Sequence, residues 1–380
     1  MAISTEMSQA RQQKAREYAS VKHRLFFVNT GLALVFLILM LLSGFSLELR
    51  KLVESWTTNQ WLAVPVYLAI FGGIYAILTL PLDIYSGYYL PIKYGMLHQS
   101  FGSWLLDLAK GGLVAVAIGL PLLEALYFGF RNLGEWWWLV GGLVYLLFVV
   151  VMVNLAPVII MPLFNKFIPL ENEELQDRIL RLGQKTGATV KGVYTIDFSR
   201  RTSSANAFVT GIGNTRRVVL GDTLTSNYTA DEIEVIMAHE LGHHVHGDIW
   251  RGVLLDSVIT MFSFYLAHLF LQAGINLLGF RGLGDVAAFP LFVLVMVAFG
   301  LLTMPLTNYL SRTRENAADI YALNITGNAT AFISAMKKLA NQNLADAAPP
   351  AWAVWLFYTH PPIAERIRRG EDFIARQGYA

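Results

Sequence analysis

Six stretches of this chain run for about twenty residues or more with very little charge, and they restrict the folds open to it. They are Leu25 to Leu47, Trp61 to Leu82, Trp104 to Phe128, Trp136 to Asn165, Ser257 to Phe280 and Val286 to Leu310. Such a run is long enough to cross a bilayer as a helix. In lipid every backbone N–H and C=O must be satisfied within the segment, which runs of this length achieve as helices. The third run is the least pure, because Asp107, Lys110 and Glu124 interrupt it, and the fifth holds only His268 as a titratable group. The mean hydropathy of +0.47 agrees with an integral membrane protein. The first run is too long for a cleaved signal peptide, comes after a polar stretch and lacks a small-residue cleavage site, so it is read as a membrane helix.

Between the fourth and fifth runs lies Met237-Ala-His-Glu-Leu-Gly-His-His244. It contains His239-Glu240-x-x-His243, and on a helix residues four apart share a face, so both imidazoles can bind one metal ion. Glu240 beside them suits the general base of metal-assisted hydrolysis. Thr229-x-x-Glu232 is a capping box, which predicts a helix starting at about Thr229 with the motif two to three turns inside it. With no cysteine in the chain, a metal must take His, Asp or Glu.

Arg11, Lys14, Arg16, Lys22 and Arg24 precede the first span and place that end on the cytoplasmic side. Counting crossings puts the polar segments 166–250 and 311–380 on the same side, and both are rich in Lys and Arg. The start of the fifth span therefore faces the segment just after the sixth, Ser311-Arg-Thr-Arg-Glu-Asn-Ala-Ala-Asp319. Glu315 is then a natural third ligand, since two His plus one Glu with an open position is a common catalytic zinc set. Asp319, four residues on, can accept a ligand histidine's free N–H. The alternative is that Glu315 and Asp319 pair with Arg312 or Arg314 on a solvated helix.

The 166–250 segment reads as a small α+β unit. Asn172 can cap a helix through Lys185 that Gly187 closes, and Val193 to Phe198 reads as a strand. Ala205 to Thr210 and Arg217 to Leu220 flank Gly211–Thr215 as a hairpin. An edge strand beside a metal can hold an extended peptide by strand addition.

Together these motifs resemble the integral-membrane CAAX prenyl protease family of zinc metalloendopeptidases. The resemblance runs from about Tyr94-Gly95 to Arg366. It rests on Pro162-Leu-Phe-Asn-Lys166, Ser204-Ala-Asn-Ala-Phe208, Arg217-Val-Val-Leu-Gly-Asp-Thr-Leu224 and the His239–His243 motif. Ser311-Arg-x-x-Glu-x-x-x-Asp319 and His360-Pro-Pro-Ile-Ala-Glu-Arg366 complete it. It implies Zn(2+) on His239, His243 and Glu315, with Glu240 as base and Asp319 behind a ligand. It further implies a substrate-backbone clamp at Asn206 and Ala207, and a C-terminal segment returning His360, as a catalytic group, and Arg366, as a substrate-binding one, to the site. Asn206 can also be read as a turn residue, and His-Pro-Pro as a helix stop with Arg366 on a solvated face beside Glu365. The family's fold is a ring of membrane helices around a chamber. Asp107, Lys110 and Glu124 would face water or one another there, and helix packing is the equal alternative for Asp107 and Lys110. His244 and His246 are not favoured as ligands, since His244 points about 100° from His243.

The fold expected is mainly α: a polytopic bundle of about six spans with a small α+β zinc-protease domain on the cytoplasmic side. Its parts are an N-terminal segment 1–24, spans one to four over 25–165, and the domain with its motif helix over 166–250. Spans five and six occupy 251–310, and the C-terminal part 311–380. Eukaryotic family members have seven spans and longer chains, so a prokaryotic homologue in a bacterial or archaeal plasma membrane is expected. That sets aside a prenylated protein as the assured substrate. The expected partners are the lipid bilayer and a peptide or protein substrate, prenylated or not, with no particular oligomeric state implied. A net charge of +2 argues against nucleic acid. The main competing function is a membrane-protein quality-control metalloprotease of the heat-shock type. The lesser one, a non-catalytic chaperone or transporter, has no use for Glu240.

Overall fold

The computed structural model describes residues 7–211 and 216–378. Six helices in it are long and apolar enough to cross a membrane: Gln9–Leu42, Gln60–Lys93, Phe101–Asn132, Gly134–Phe164, Asp248–Leu277 and Val286–Thr326. Each contains one of the six apolar runs or nearly all of it. Their outward faces carry exposed Ile77, Leu113, Leu147 and Leu302, which costs little where the surroundings are lipid tails. Inside, Phe36, Tyr67, Phe71, Tyr127, Phe130, Trp137, Phe264 and Phe292 form an interlocked aromatic core.

Among the boundaries that differ from expectation, two are the most consequential. The first helix begins at Gln9 rather than near Leu25. The stretch Gln9–Arg24 is polar but rich in good helix formers, so it extends the span as a helix instead of leaving it as a tail. Its Gln12 is buried: the side-chain amide accepts from Ala347 N at 3.0 Å and donates to Ala345 O at 3.3 Å. At the other end of the membrane domain the sixth helix does not stop at Leu310. It continues unbroken to Thr326 and ends on Gly327 at a φ of 64°, so Glu315 and Asp319 ride on its rigid extension.

The water-facing domain is built on a four-stranded sheet ordered β1-β2-β4-β3. β1 is Phe167–Pro169, β2 is Val193–Ile196, β3 is Ala207–Thr210 and β4 is Arg217–Gly221. β2 and β4 run parallel, while β1 and β3 pair antiparallel on the outsides. The expected hairpin strands are therefore β3 and β4, paired Ala207 to Leu220 and Thr210 to Arg217. Most of the turn expected between them, residues 212–215, lies outside the described residues. Asn172 caps the helix Glu173–Lys185 through Leu175 N at 3.0 Å, and Gly187 comes after it at a φ of 69°, as the sequence predicted. That helix, the sheet and the motif helix share one core with the C-terminal helices Ala329–Gln342 and Ile363–Gln377, through Ile179, Leu220, Met237, Phe332 and Ile367.

Candidate active site

The motif helix spans Ala230–Val245 and starts at the capping box the sequence foretold. Thr229 N donates to Glu232 Oε2 at 2.7 Å, and Glu232 N donates to Thr229 Oγ1 at 3.3 Å. Glu232 is itself buried and pairs with Lys338 Nζ at 2.7 Å, accepting also from Ser334 Oγ at 2.6 Å. The helix start is thereby fastened to Ala329–Gln342.

Farther along, Gly242 faces the sixth helix. A Cβ at that position would stand 3.4 Å from Ala318 Cα and 3.1 Å from the Tyr321 ring, so its absence lets the two helices close. Closure sets the imidazoles against Glu315. His239 Nε2 is 3.1 Å from Glu315 Oε2, and His243 Nε2 is 3.4 Å from Glu315 Oε1. One ligand atom from each of the three residues lies within 4.8 Å of the others. Gly247, at a φ of 67°, then turns the chain into the fifth span.

The other ring nitrogens are also met by carboxylates. His239 Nδ1 is 3.0 Å from Asp319 Oδ1, and His243 Nδ1 is 2.9 Å from Asp248 Oδ2. Protons on the two Nδ1 atoms leave both Nε2 lone pairs turned toward Glu315, an acceptor with no proton at neutral pH. Glu315 Oε2 is buried and lacks a hydrogen bond. The two Nε2 lone pairs and the unbonded Glu315 Oε2 converge on one small space, the arrangement a cation satisfies, and N₂O is a donor set zinc accepts. The surroundings of His239 also favour positive charge, which a proton on Nε2 or a cation in its place can supply. Burial pushes the imidazole pKa down, but Asp319 and Glu315 outweigh that and pull it up to about 9.

Asp319 is fully buried and held from behind. Arg366 Nε and Nη2 donate to it at 2.9 and 2.5 Å, and Arg369 Nη1 at 2.8 Å. Arg366 is thus 93% withdrawn from solvent behind the acid, not on a solvated face with Glu365. Neither Glu315 nor Asp319 pairs with Arg312 or Arg314. Arg312 donates to Val354 O and Tyr358 O at 2.8 and 2.5 Å, and Arg314 reaches Leu310 O at 3.4 Å.

His360 comes to the same place, its Nε2 at 3.3 Å from Glu315 Oε1, with a side chain 58% exposed. Glu240 lines a cavity of about 500 Å³ together with Asn206, Ala207, His239, His360 and Arg366. Burial raises the Glu240 carboxyl above its ordinary range, against the pull of His239 and His243. Asn206 is exposed while Ala207 beside it is buried. Of the extra histidines, His244 sits 3.4 Å from Val209 O and His246 against the Tyr321 ring, so neither joins the ligand set. Asp107 accepts from Gln99 Nε2 at 2.5 Å and pairs with Arg201 at 3.1 Å, tying the third span to the loop before β3. Lys110 is exposed, and both Glu124 carboxylate oxygens are buried without a hydrogen bond.

Asp248 and Asn343 escaped the sequence reading. Asp248 carries the signal of an acid five residues after a ligand histidine, just past a glycine turn. Asn343 carries no such signal, because nothing in its neighbourhood connects it with Ala205, whose N–H and C=O it meets at 2.8 and 3.1 Å.

A polytopic helical bundle whose water-facing domain sets His-Glu-x-x-His against a glutamate from the last span defines a membrane metallopeptidase. Residues 169–372 match the model of peptidase family M48, and residues 1–166 match that described as CAAX prenyl protease N-terminal, five membrane helices. The chain belongs to peptidase family M48. It is 31% identical over 365 residues to the uncharacterized metalloprotease YhfN of Bacillus subtilis (strain 168), covering 94% of this chain and 84% of that one. To CAAX prenyl protease 1 of Saccharomyces cerevisiae it is 31% identical over 322 residues, covering 79% and 70%. The solved structure of S. mikatae Ste24p superposes with a TM-score of 0.86 at 26% identity, covering 96% of this chain and 90% of that one. The enzyme is a multi-pass membrane metalloprotease. Among the described residues, 1–166 supplies four helices that can span plus Phe45–Trp56, whose 12 residues reach only about 18 Å as a helix, short of the bilayer core.

Proposed function

We propose that the metal is zinc, held by His239, His243 and Glu315, and that the enzyme is an endopeptidase cutting extended peptides at the cytoplasmic surface of a prokaryotic plasma membrane. The observation that carries this reading is the buried, unbonded Glu315 Oε2 facing His239 Nε2 at 3.1 Å, at the wall of the cavity that Glu240 lines. Zinc, when bound, supplies a Lewis acid for the scissile carbonyl and lowers the pKa of a water. Glu240 takes the proton of the attacking water, and the burial that raises its carboxyl brings its basicity nearer the working pH. Asp319 and Asp248 hold protons on the two Nδ1 atoms and so aim the Nε2 lone pairs. His360, partly exposed beside Glu315, is positioned to donate to the oxygen on which charge develops. Arg366 keeps Asp319 ionised and in place from the wall of the same cavity.

The substrate reading comes from strand β3. Asn206 O accepts from Gly221 N at 2.9 Å, which turns residue 206 toward β4, and alternation turns Ala207 outward to the cavity. A peptide pairing with Ala207 and held by the Asn206 amide lies extended before Glu240. Several relatives bear the name CAAX prenyl protease, so peptides cut close to their C-terminus, with or without a prenyl group, form the proposed class. Purified protein in detergent should cleave a farnesylated C-a-a-X peptide and stop on chelation. An unprenylated twin cut equally well would remove the lipid from the recognition. Failure on both, with degradation of unfolded membrane proteins, would favour the quality-control reading.

A further inference from the structure

Strand β3 offers a peptide less edge than its length suggests. In an antiparallel pair the backbone groups of alternate residues point away from the partner strand. With Asn206 O bonded to Gly221 N, the outward residues along this segment are Ala205, Ala207 and Val209. Two of these three are already engaged. Val209 O faces His244 Nε2 at 3.4 Å. Ala205 is met on both its groups by a single side chain: its N–H donates to Asn343 Oδ1 at 2.8 Å, and its C=O accepts from Asn343 Nδ2 at 3.1 Å. The carboxamide reproduces the two bonds that one residue of a neighbouring strand would make.

Asn343 is itself firmly placed. It ends the helix Ala329–Gln342, with its N–H on Leu339 O at 2.9 Å. The preceding Gln342 is buried and donates to Ser203 O at 2.9 Å and Thr223 O at 3.2 Å, so the helix end and the chain before β3 are joined at two successive residues. Asn343, Ala205, Asn206 and Ala207 all line the cavity that holds Glu240.

We propose that Asn343 is a specificity-determining residue that ends strand pairing at Ala205 and so limits how far a substrate extends on one side of the cut. This rests on the peptidase reading of the same site. Antiparallel pairing is the more stable per residue, and a peptide so laid against β3 enters from the Thr210 end and has its C-terminal end at Ala205. The side that Asn343 limits is therefore downstream of the scissile bond, while upstream only the Val209 C=O is engaged, by His244. The enzyme acts on chains with few residues after the cut, and longer ones must leave the edge at Asn343 without a further pair of backbone bonds.

Two series of quenched peptides test this, one lengthened downstream of the cut and one lengthened upstream, each assayed with the full-length wild type and with Asn343→Ala. In the wild type kcat/KM should level off or fall once the downstream part passes the reach of Ala207. In Asn343→Ala the freed Ala205 edge should let the longer downstream peptides gain, by about fivefold for each strand bond added, while the shortest change little. Asn343→Gln retains the amide but displaces it, and should behave like the alanine variant rather than the wild type. Equal length profiles in wild type and Asn343→Ala, or a change confined to the upstream series, overturn the assignment. Loss of activity on every peptide in Asn343→Ala, with zinc content and melting temperature unchanged, would also overturn it, by placing Asn343 in substrate binding itself. A wild type that cleaves no peptide would instead sink the endopeptidase reading.

Discussion

At the scale of single residues, the site is a set of ionisable groups whose roles depend on which atom each presents. Glu240 is raised by burial and lies off the ligand triangle, so Glu240→Gln should keep its metal and its fold and lower kcat/KM by about 100-fold or more. Metal analysis alongside the cleavage assay checks both halves, and near-normal turnover would end the case for Glu240 as base. Asp248→Asn makes a different demand. The amide can present an NH₂ to His243 Nδ1 and so favour the wrong ring tautomer, and zinc affinity should fall about 10- to 100-fold. A competition titration against a chromophoric chelator would read that fall, and an unchanged affinity would reduce Asp248 to a turn residue. The contrast between these two acids explains what was legible. His239, Glu240 and His243 have a fixed spacing because helix geometry demands it, and Glu315 is implied by topology. Asp248 and Asn343 act through space, across turns whose direction rests on Gly247 and on a distant helix end, and no periodicity in the chain records that.

Elements show the same division. The motif helix announced itself through Thr229 and Glu232, yet nothing local indicates that Glu232 also holds Lys338, more than a hundred residues later. This buried pair is a clear target. Lys338→Met strands a carboxylate that is 3% exposed, and should destabilise the water-facing domain by about 3 kcal/mol. The pH dependence has a definite sign. Burial raises the Glu232 carboxyl, but Lys338, Ser334 and the Thr229 N–H outweigh it and hold it below its ordinary 4.5. A depressed carboxylate contributes stability above its unfolded pKa and loses it as pH falls through the folded one. Melting of the wild type should therefore fall off below about pH 4.5, and Lys338→Met should show a shallower acid slope. Parallel slopes would assign the acid sensitivity elsewhere. The polar start of the first span is a further case: its residues favour helix, but only the packing of Gln12 against Ala345 and Ala347 shows why it is ordered.

For the whole molecule, hydropathy located all six spans, since no water-soluble arrangement hides that much apolar surface in such long runs. The convergence of distant segments was legible in outline, because the fifth and sixth helices form a pair with one short connection and must return to the same side. On the far side that connection is anchored by Asp285, which takes Arg50 and the Arg281 N–H, the latter at 2.9 Å. The proposed orientation rests on the charges: five Lys and Arg side chains, from Arg11 to Arg24, lie ahead of the first apolar run, and positively charged flanks favour the cytoplasmic side. The absence of cysteine makes this directly testable, because any cysteine introduced is the sole reporter. Thr58→Cys lies in the connection between the first two spans and Glu174→Cys on the helix after β1, both exposed positions. In intact cells a membrane-impermeant maleimide should label the first and spare the second until the membrane is opened. The reverse pattern would put the cavity and Glu240 on the outer face, and substrates would then have to reach the site from outside the cell.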